Sequence, residues 1–268
     1  MKPLAVFTTI RNAYAFVWQG HRDFLSLALP AVVVLAVVWT LIAWIEIPAT
    51  PTKAEDANGL GDLIYSVISL AVWVMFAVAW HRRYLVPGEA TTIRAALRWR
   101  RRQTRFLLLA IGVGVLAILV LLVTSVVAGL FGTLFNRVWQ MLLLAIVIAW
   151  VPVLLIYARL SLLFPSTAVD HLMSFRECWR FTRGNGWRLA LIIFLIGAPV
   201  FVIAVLIQLA VAHILGFLEI TESVATSFVA AFVVEAVWFV GIAAGVSALS
   251  ISYRTLMVAP PDTLPAEA

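Results

Sequence analysis

Six stretches of this chain stay apolar for about 20 residues or more, the length an α-helix needs to cross a bilayer core roughly 30 Å thick at about 1.5 Å per residue. They run from Phe24 to Glu46, Asp62 to Trp80, Phe106 to Phe135, Val138 to Tyr157, Leu189 to Phe217 and Val224 to Ser252. The second ends in the cluster His81-Arg82-Arg83. Composition agrees, because 64% of the 268 residues are hydrophobic and 12% charged, against roughly a quarter charged in soluble domains. The fold class is therefore all-α integral membrane, with six transmembrane helices. Gly129, Gly132 and Thr133 predict that the third helix stops before its apolar letters do.

Charge predicts the orientation, since Lys and Arg are retained on the cytoplasmic side. Of 19 basic residues only Lys53 and Arg137 fall on the outer side, which leaves 17 inside. Glu46, Glu55, Asp56, Asp62, Glu219 and Glu222 populate the outer turns. Both termini are expected in the cytoplasm. The first helix lacks the continuous apolar centre of a signal peptide, since Leu4 to His21 carries Arg11, Asn12 and Gln19. Phe7, Ile10, Tyr14, Val17 and Trp18 recur there at helical spacing, the pattern of an amphipathic helix lying in the membrane interface.

The segments that precede the odd-numbered spans align with one another: IRNAYAF from Ile10, IRAALRW from Ile93 and FRECWRF from Phe175. Each has Arg second, a small residue fourth and an aromatic seventh. Each leads into a helix, a turn and a returning helix, so the chain reads as three pseudo-repeated hairpins, each preceded by a cytoplasmic interfacial amphipathic helix. Residues 1–256 form one transmembrane domain with repeats over 4–85, 88–163 and 166–256, followed by a short cytoplasmic tail, 257–268. Arg82, Arg159 and Arg254 close the returning helices ahead of Pro87, Pro165 and Pro260. Glu89, or Ser166 with Thr167, is expected to cap the next interfacial helix. Pro30, Gly112 with Gly114, and Pro199 predict a kink or a close helix crossing early in each unit. Gly241 and Gly245 offer a GxxxG-like face.

The segments ARLSLLFPSTAVD and SFRECWRFTRGNGWRLAL carry a resemblance. Arg159, Pro165, Trp179, Arg180, Thr182 and Gly184, with Arg254 in the closing SYRTL, match the pattern in which an Arg closes one span, a Pro-containing turn follows, and a Trp-Arg-x-Thr-x-Gly-like helix leads into the next. In this the chain resembles the membrane domain attached to some glycerophosphodiester phosphodiesterases and related polytopic bacterial inner-membrane proteins. The resemblance covers about half of the chain and implies architecture, a bacterial inner membrane and no catalysis, because no segment here forms the soluble barrel that carries the phosphodiesterase chemistry.

Catalytic signatures are absent from the letters. Cys178 is the single cysteine, and His21, His81, His171 and His213 are scattered without metal-ligand spacing. There is no Walker loop, GxSxG elbow or HExxH. No catalytic, cofactor or metal residue is assigned, no cofactor is expected, and the chain is read as a non-enzyme. Trp18, Trp44, Trp80, Trp99, Trp139, Trp179 and Trp187 read as an aromatic belt at the boundaries, and Trp39, Trp73, Trp150 and Trp238 as packing between helices.

Two polar features remain. Glu235 lies about 16 Å inside the last span and Gln208 roughly 13 Å inside the preceding one, counted from their outer ends, so the two are within reach of each other. A carboxyl in hydrocarbon demands a partner or a function: either a hydrogen bond to Gln208, or a site for a proton, a cation or a cationic substrate. His213 is shallower, and Thr124 or Ser125 reaches the site only if the bundle packs it inward. The other feature is a pair of arginine stripes at helical spacing on the cytoplasmic interface, Arg94, Arg98, Arg101, Arg102 and Arg105, then Arg176, Arg180 and Arg183. Each arginine near an anionic leaflet contributes on the order of 1 kcal/mol, so the stripes are assigned to lipid head groups; their alternative role is to hold the topology. The functional expectation is a lipid-interacting scaffold or accessory subunit whose partners are anionic lipids and another membrane protein. The alternative is a small transporter or channel using Glu235. Nucleic acid is not expected, since no soluble module presents the charge.

Overall fold

The computed structural model describes residues 3–46, 54–88, 96, 98–132, 138–217 and 223–257. They form helices α1 (Val6–Gln19), α2 (His21–Glu46), α3 (Ala54–Leu85), α4 (Arg101–Gly132), α5 (Val138–Leu160), α6 (Leu163–Ala168), α7 (Phe175–Phe181), α8 (Gly186–Phe217) and α9 (Val224–Met257). Among the described residues there is no strand. Among the described residues six helical segments are long and apolar enough to cross a membrane. They carry large apolar side chains outward, such as Leu108, Leu119 and Val123 on α4 and Leu191, Phe194 and Phe201 on α8, the reverse of a helix that folds in water.

The helices overrun the apolar runs. α3 starts at Ala54, α4 at Arg101, and α9 continues to Met257, because backbone hydrogen bonding does not stop at the edge of hydrocarbon. α4 runs through Gly129 to Gly132; Thr133 to Phe135, before whose end the helix is expected to stop, lie outside the described residues.

The spans close into a ring in which α2 packs on α3, α3 on α4, α4 on α5, α5 on α8, α8 on α9, and α9 back on α2. α9 also reaches across to α3 and α6, and α1 lies against α8 and α9. Small residues let α9 take this central place. Ala243, Ala244, Ser247 and Ala248 are at most 1% exposed, and Trp80 of α3 docks on them. Its indole N–H donates to Ala243 O at 3.1 Å and to Ser247 Oγ at 2.9 Å. Trp80 stacks on Phe76 and meets Phe16 and Phe24 edge-on. A tryptophan expected in the boundary belt is therefore the largest wholly buried side chain of the core. The next residue, His81, has its Nδ1 2.8 Å from the Oγ of Ser250, about one turn along α9 from Ser247, and the Ser250 hydroxyl donates to Val246 O.

Gly241 serves the α8 contact, since a Cβ there would come within 2.7 Å of Val200 Cγ1. Half of the GxxxG-like face is thus used inside the chain. A Cβ on Gly112 or Gly114 would meet nothing within 4 Å, so these glycines do not mark a close crossing. Pro30 and Pro199 sit inside continuous helices. On α1 the inward face is Thr9, Ala13 and Val17, whereas Phe7 and Trp18 are 78% and 82% exposed. The five apolar residues expected to share one face are therefore divided between the bundle and the surroundings.

Candidate functional site at the basic end of the bundle

The chain after α5 turns through α6, whose Pro165 and Ser166 are buried. The Ser166 hydroxyl donates to Leu163 O, so it caps nothing. The cap of α7 is Ser174: its Oγ accepts from the Glu177 N–H at 3.2 Å, and Glu177 Oε2 accepts from the Ser174 N–H at 2.8 Å. This reciprocal pair satisfies two of the amide donors that a helix start leaves open. The hydrogen bond from the Ser174 backbone, then that from its hydroxyl, holds the Glu177 carboxyl below the usual carboxylate range. The corresponding expectation for Glu89 lies outside the described residues.

One face of α7 is anchored on the end of α5. The Cys178 thiol donates to Arg159 O at 3.1 Å, and the Thr182 hydroxyl, which donates to Cys178 O at 2.9 Å, lies 3.5 Å from the same Arg159 O. Burial pushes the Cys178 thiol up to about 11, which makes it a packed group with little thiolate at neutral pH. The Arg159 guanidinium lies over the Trp179 ring, 4.4 Å from its centroid. The missing side chain of Gly186 makes room for Arg159, since a Cβ there would stand 2.9 Å from Nε. The turn between α7 and α8 passes through Gly184 at φ +82°, a left-handed conformation that glycine adopts without penalty.

The other faces of α7 are open. Arg176, Arg180 and Arg183 are exposed, and beside them stand Phe175, Trp179 and Trp187 at 59%, 46% and 67% exposure. With Arg159, Ser174 and Glu177 these arginines line a concavity of about 720 Å³. Spacing in the sequence marks the second stripe; Arg159, the closing residue of a span, joins it only in the fold.

The first stripe divides. Arg98, Arg101 and Arg105 are exposed. Arg102 is not available to a head group, because it pairs with Asp170 at 3.4 Å, and Arg82 joins the same carboxylate at 3.5 Å. Asp170, at φ +60°, thus ties the end of α3 and the start of α4 to the turn after α6. Arg94 lies outside the described residues.

Far from this end, Glu235 is 7% exposed. Its partner is Tyr65 of α3, whose hydroxyl donates to Glu235 Oε1, and not Gln208, which is exposed on α8. The reason is helix rotation: Glu235 faces α3 across the bundle, while the Gln208 face of α8 turns outward. Glu235 Oε2 is buried and unbonded among the described residues. Thr124 donates within its own helix to Val120 O at 2.7 Å, and His213 is exposed. A cavity of about 370 Å³ between α3, α4 and α9 is lined by apolar side chains such as Leu70, Val113 and Ile242, with His81 among them and Glu235 outside its lining. Among the described residues no group of three or more His, Cys, Asp or Glu is placed to hold a metal ion. In comparison with known proteins, no family model, no curated protein and no solved structure matches this chain.

Proposed function

We propose that the chain is a non-enzymatic bacterial inner-membrane protein, with both termini in the cytoplasm, that works as a lipid-interacting scaffold or accessory subunit of a membrane assembly. The observation that carries this reading is the exposure of Arg98, Arg101, Arg105, Arg176, Arg180 and Arg183 beside the exposed aromatics of α7 and the start of α8. Guanidiniums bordered by indole and phenyl rings suit the zone where anionic head groups meet hydrocarbon. α1 and α7 are then the interfacial collars of the first and third hairpin repeats. In support, the small residues fourth in those two copies, Ala13 and Cys178, are both wholly buried, while Arg11 and Arg176 are both exposed. Native mass spectrometry from mild detergent tests the reading: anionic lipid or a partner protein is expected to co-purify, and release of a bare polypeptide would overturn it. Labelling of cysteines introduced beside Lys53 and beside Arg100 is expected from opposite compartments.

A second reading is a small transporter or channel, favoured by one observation, the buried Oε2 of Glu235 without a bond partner among the described residues. A carboxyl so placed is a site where a proton or cation can be taken up. Proteoliposomes loaded with a pH-sensitive dye decide it: flux that Glu235→Gln abolishes would support transport, and absence of any Glu235-dependent flux removes it.

A further inference from the structure

We infer that the concavity on α7 is a site for a group with two neighbouring phosphates, held by Arg159, Arg176, Arg180 and Arg183; this rests on the lipid-surface reading above and narrows it to one pocket and one ligand class.

The charge balance selects an anion of more than one charge. Four guanidiniums face a single carboxylate, Glu177, in this concavity. That carboxylate is turned to the start of α7 by its bonds to the Ser174 N–H and hydroxyl, so it is committed to the cap. Among the described residues the ion pairs of this end are Arg82 and Arg102 with Asp170, and Arg83 with Asp23. None involves the four pocket arginines.

Geometry selects two phosphates over one. Arg176 and Arg180 stand one turn apart on α7, about 6 Å along its axis at about 1.5 Å per residue, and Arg183 stands in the turn that follows the helix, with Arg159 facing them from the end of α5. A phosphodiester offers two free oxygens, enough for about two guanidinium forks, so four forks lining one concavity call for a second phosphate. The volume of about 720 Å³ would hold on the order of twenty waters at about 30 Å³ each, which is also too roomy for one phosphate. Arg159 is held in place by stacking on Trp179 and by the bare backbone of Gly186, so its planar fork is ordered before a ligand arrives and suits paired phosphate oxygens. Two sources supply this chemistry, a two-phosphate lipid head group or a soluble diphosphate. The exposed Phe175, Trp179 and Trp187 favour the lipid.

The test uses the full chain in nanodiscs, with cardiolipin, phosphatidylglycerol, phosphatidylcholine and inorganic pyrophosphate as probes. Cardiolipin is expected to be retained over phosphatidylglycerol, and Arg176→Gln/Arg183→Gln to lower its retention by about tenfold or more, the scale for losing charge-assisted hydrogen bonds. Arg98→Gln/Arg101→Gln removes equal charge elsewhere on the same end and is expected to leave the cardiolipin preference in place. Arg159→Lys keeps charge without the fork and is expected to lose part of the preference. Binding of pyrophosphate that depends on the same arginines, without cardiolipin preference, would uphold the two-phosphate site and assign it a soluble ligand. Equal retention of the two anionic lipids, with equal losses in both double variants, overturns the pocket and leaves the broader lipid surface standing. If the wild type retains no anionic lipid and no pyrophosphate, the pocket and the lipid surface both fall.

Discussion

The two ends of this bundle are held by different means. At the basic end, polar bonds cross between elements: Trp80 to α9, His81 to Ser250, two arginines to Asp170, His171 Nδ1 to the Tyr253 hydroxyl, Cys178 to Arg159 O, and the Leu4 N–H to Asn185 Oδ1. In the opposite half, the described hydroxyls of Thr40, Ser69 and Thr124 bond carbonyls of their own helices. There the Tyr65–Glu235 pair is the polar link between helices among the described residues. The difference follows from the solvent. Near water the chain turns, and turns leave backbone groups that need partners; deep in the spans each helix satisfies itself, and shape holds neighbours together.

Breaking the basic end should cost most at Trp80. Trp80→Ala removes a wholly buried indole and its two bonds to α9, and is expected to destabilise by about 3–5 kcal/mol, read as a large fall in unfolding temperature in detergent. A wild-type melting curve would show that the α3–α9 crossing is not what locks this end. Next comes the other half: Tyr65→Phe leaves Glu235 buried without its donor and should cost about 1–3 kcal/mol. Gln208→Ala is expected to stay within about 0.5 kcal/mol of wild type; the reverse ranking would restore Gln208 as the partner.

Smaller effects refine the comparison. Ser174→Ala should cost about 1 kcal/mol through the lost N-cap and speed maleimide labelling of Cys178, whose thiol is otherwise buried and protonated at neutral pH. No gain in labelling would mean that α7 is held without its cap. Asp170→Asn should cost less than about 1 kcal/mol, since the carboxylate is 48% exposed and solvent screens the pair. The smallest expected effect concerns acid. The Glu177 carboxyl is depressed in the folded chain, so its stabilisation is present at neutral pH and fades as pH falls through the folded value. The melting curves of wild type and Glu177→Gln should accordingly converge on acidification, and a gap that stays constant would take the carboxylate out of the cap.

Much of this was legible in the letters. The apolar runs mark six helices, and the spacing of Arg176 and Arg180 puts them one turn apart on α7, while Arg183, expected on the same stripe, stands in the turn after it. The letters Ser174-Phe175-Arg176-Glu177 also spell a capping box, although Ser166 and Thr167, beside the proline, were the residues expected to cap. Trp80 was misplaced because an indole beside His81-Arg82-Arg83 looks like a boundary anchor. Only its fit against Ala243 and Ser247, more than 160 positions away, makes it core.

Sequence alone determined that six helices are long and apolar enough to cross a membrane and that the arginines gather toward certain turns, because length and hydropathy are local properties that a helix carries into any packing. Tertiary structure alone decided which polar groups meet: Tyr65 with Glu235, Arg102 with Asp170, and Arg159 with the stripe on α7. Partners are chosen by the rotation and register of whole helices, and rotation by tens of degrees, where successive residues stand about 100° apart, exchanges one partner for another without altering the apolar pattern that makes each helix.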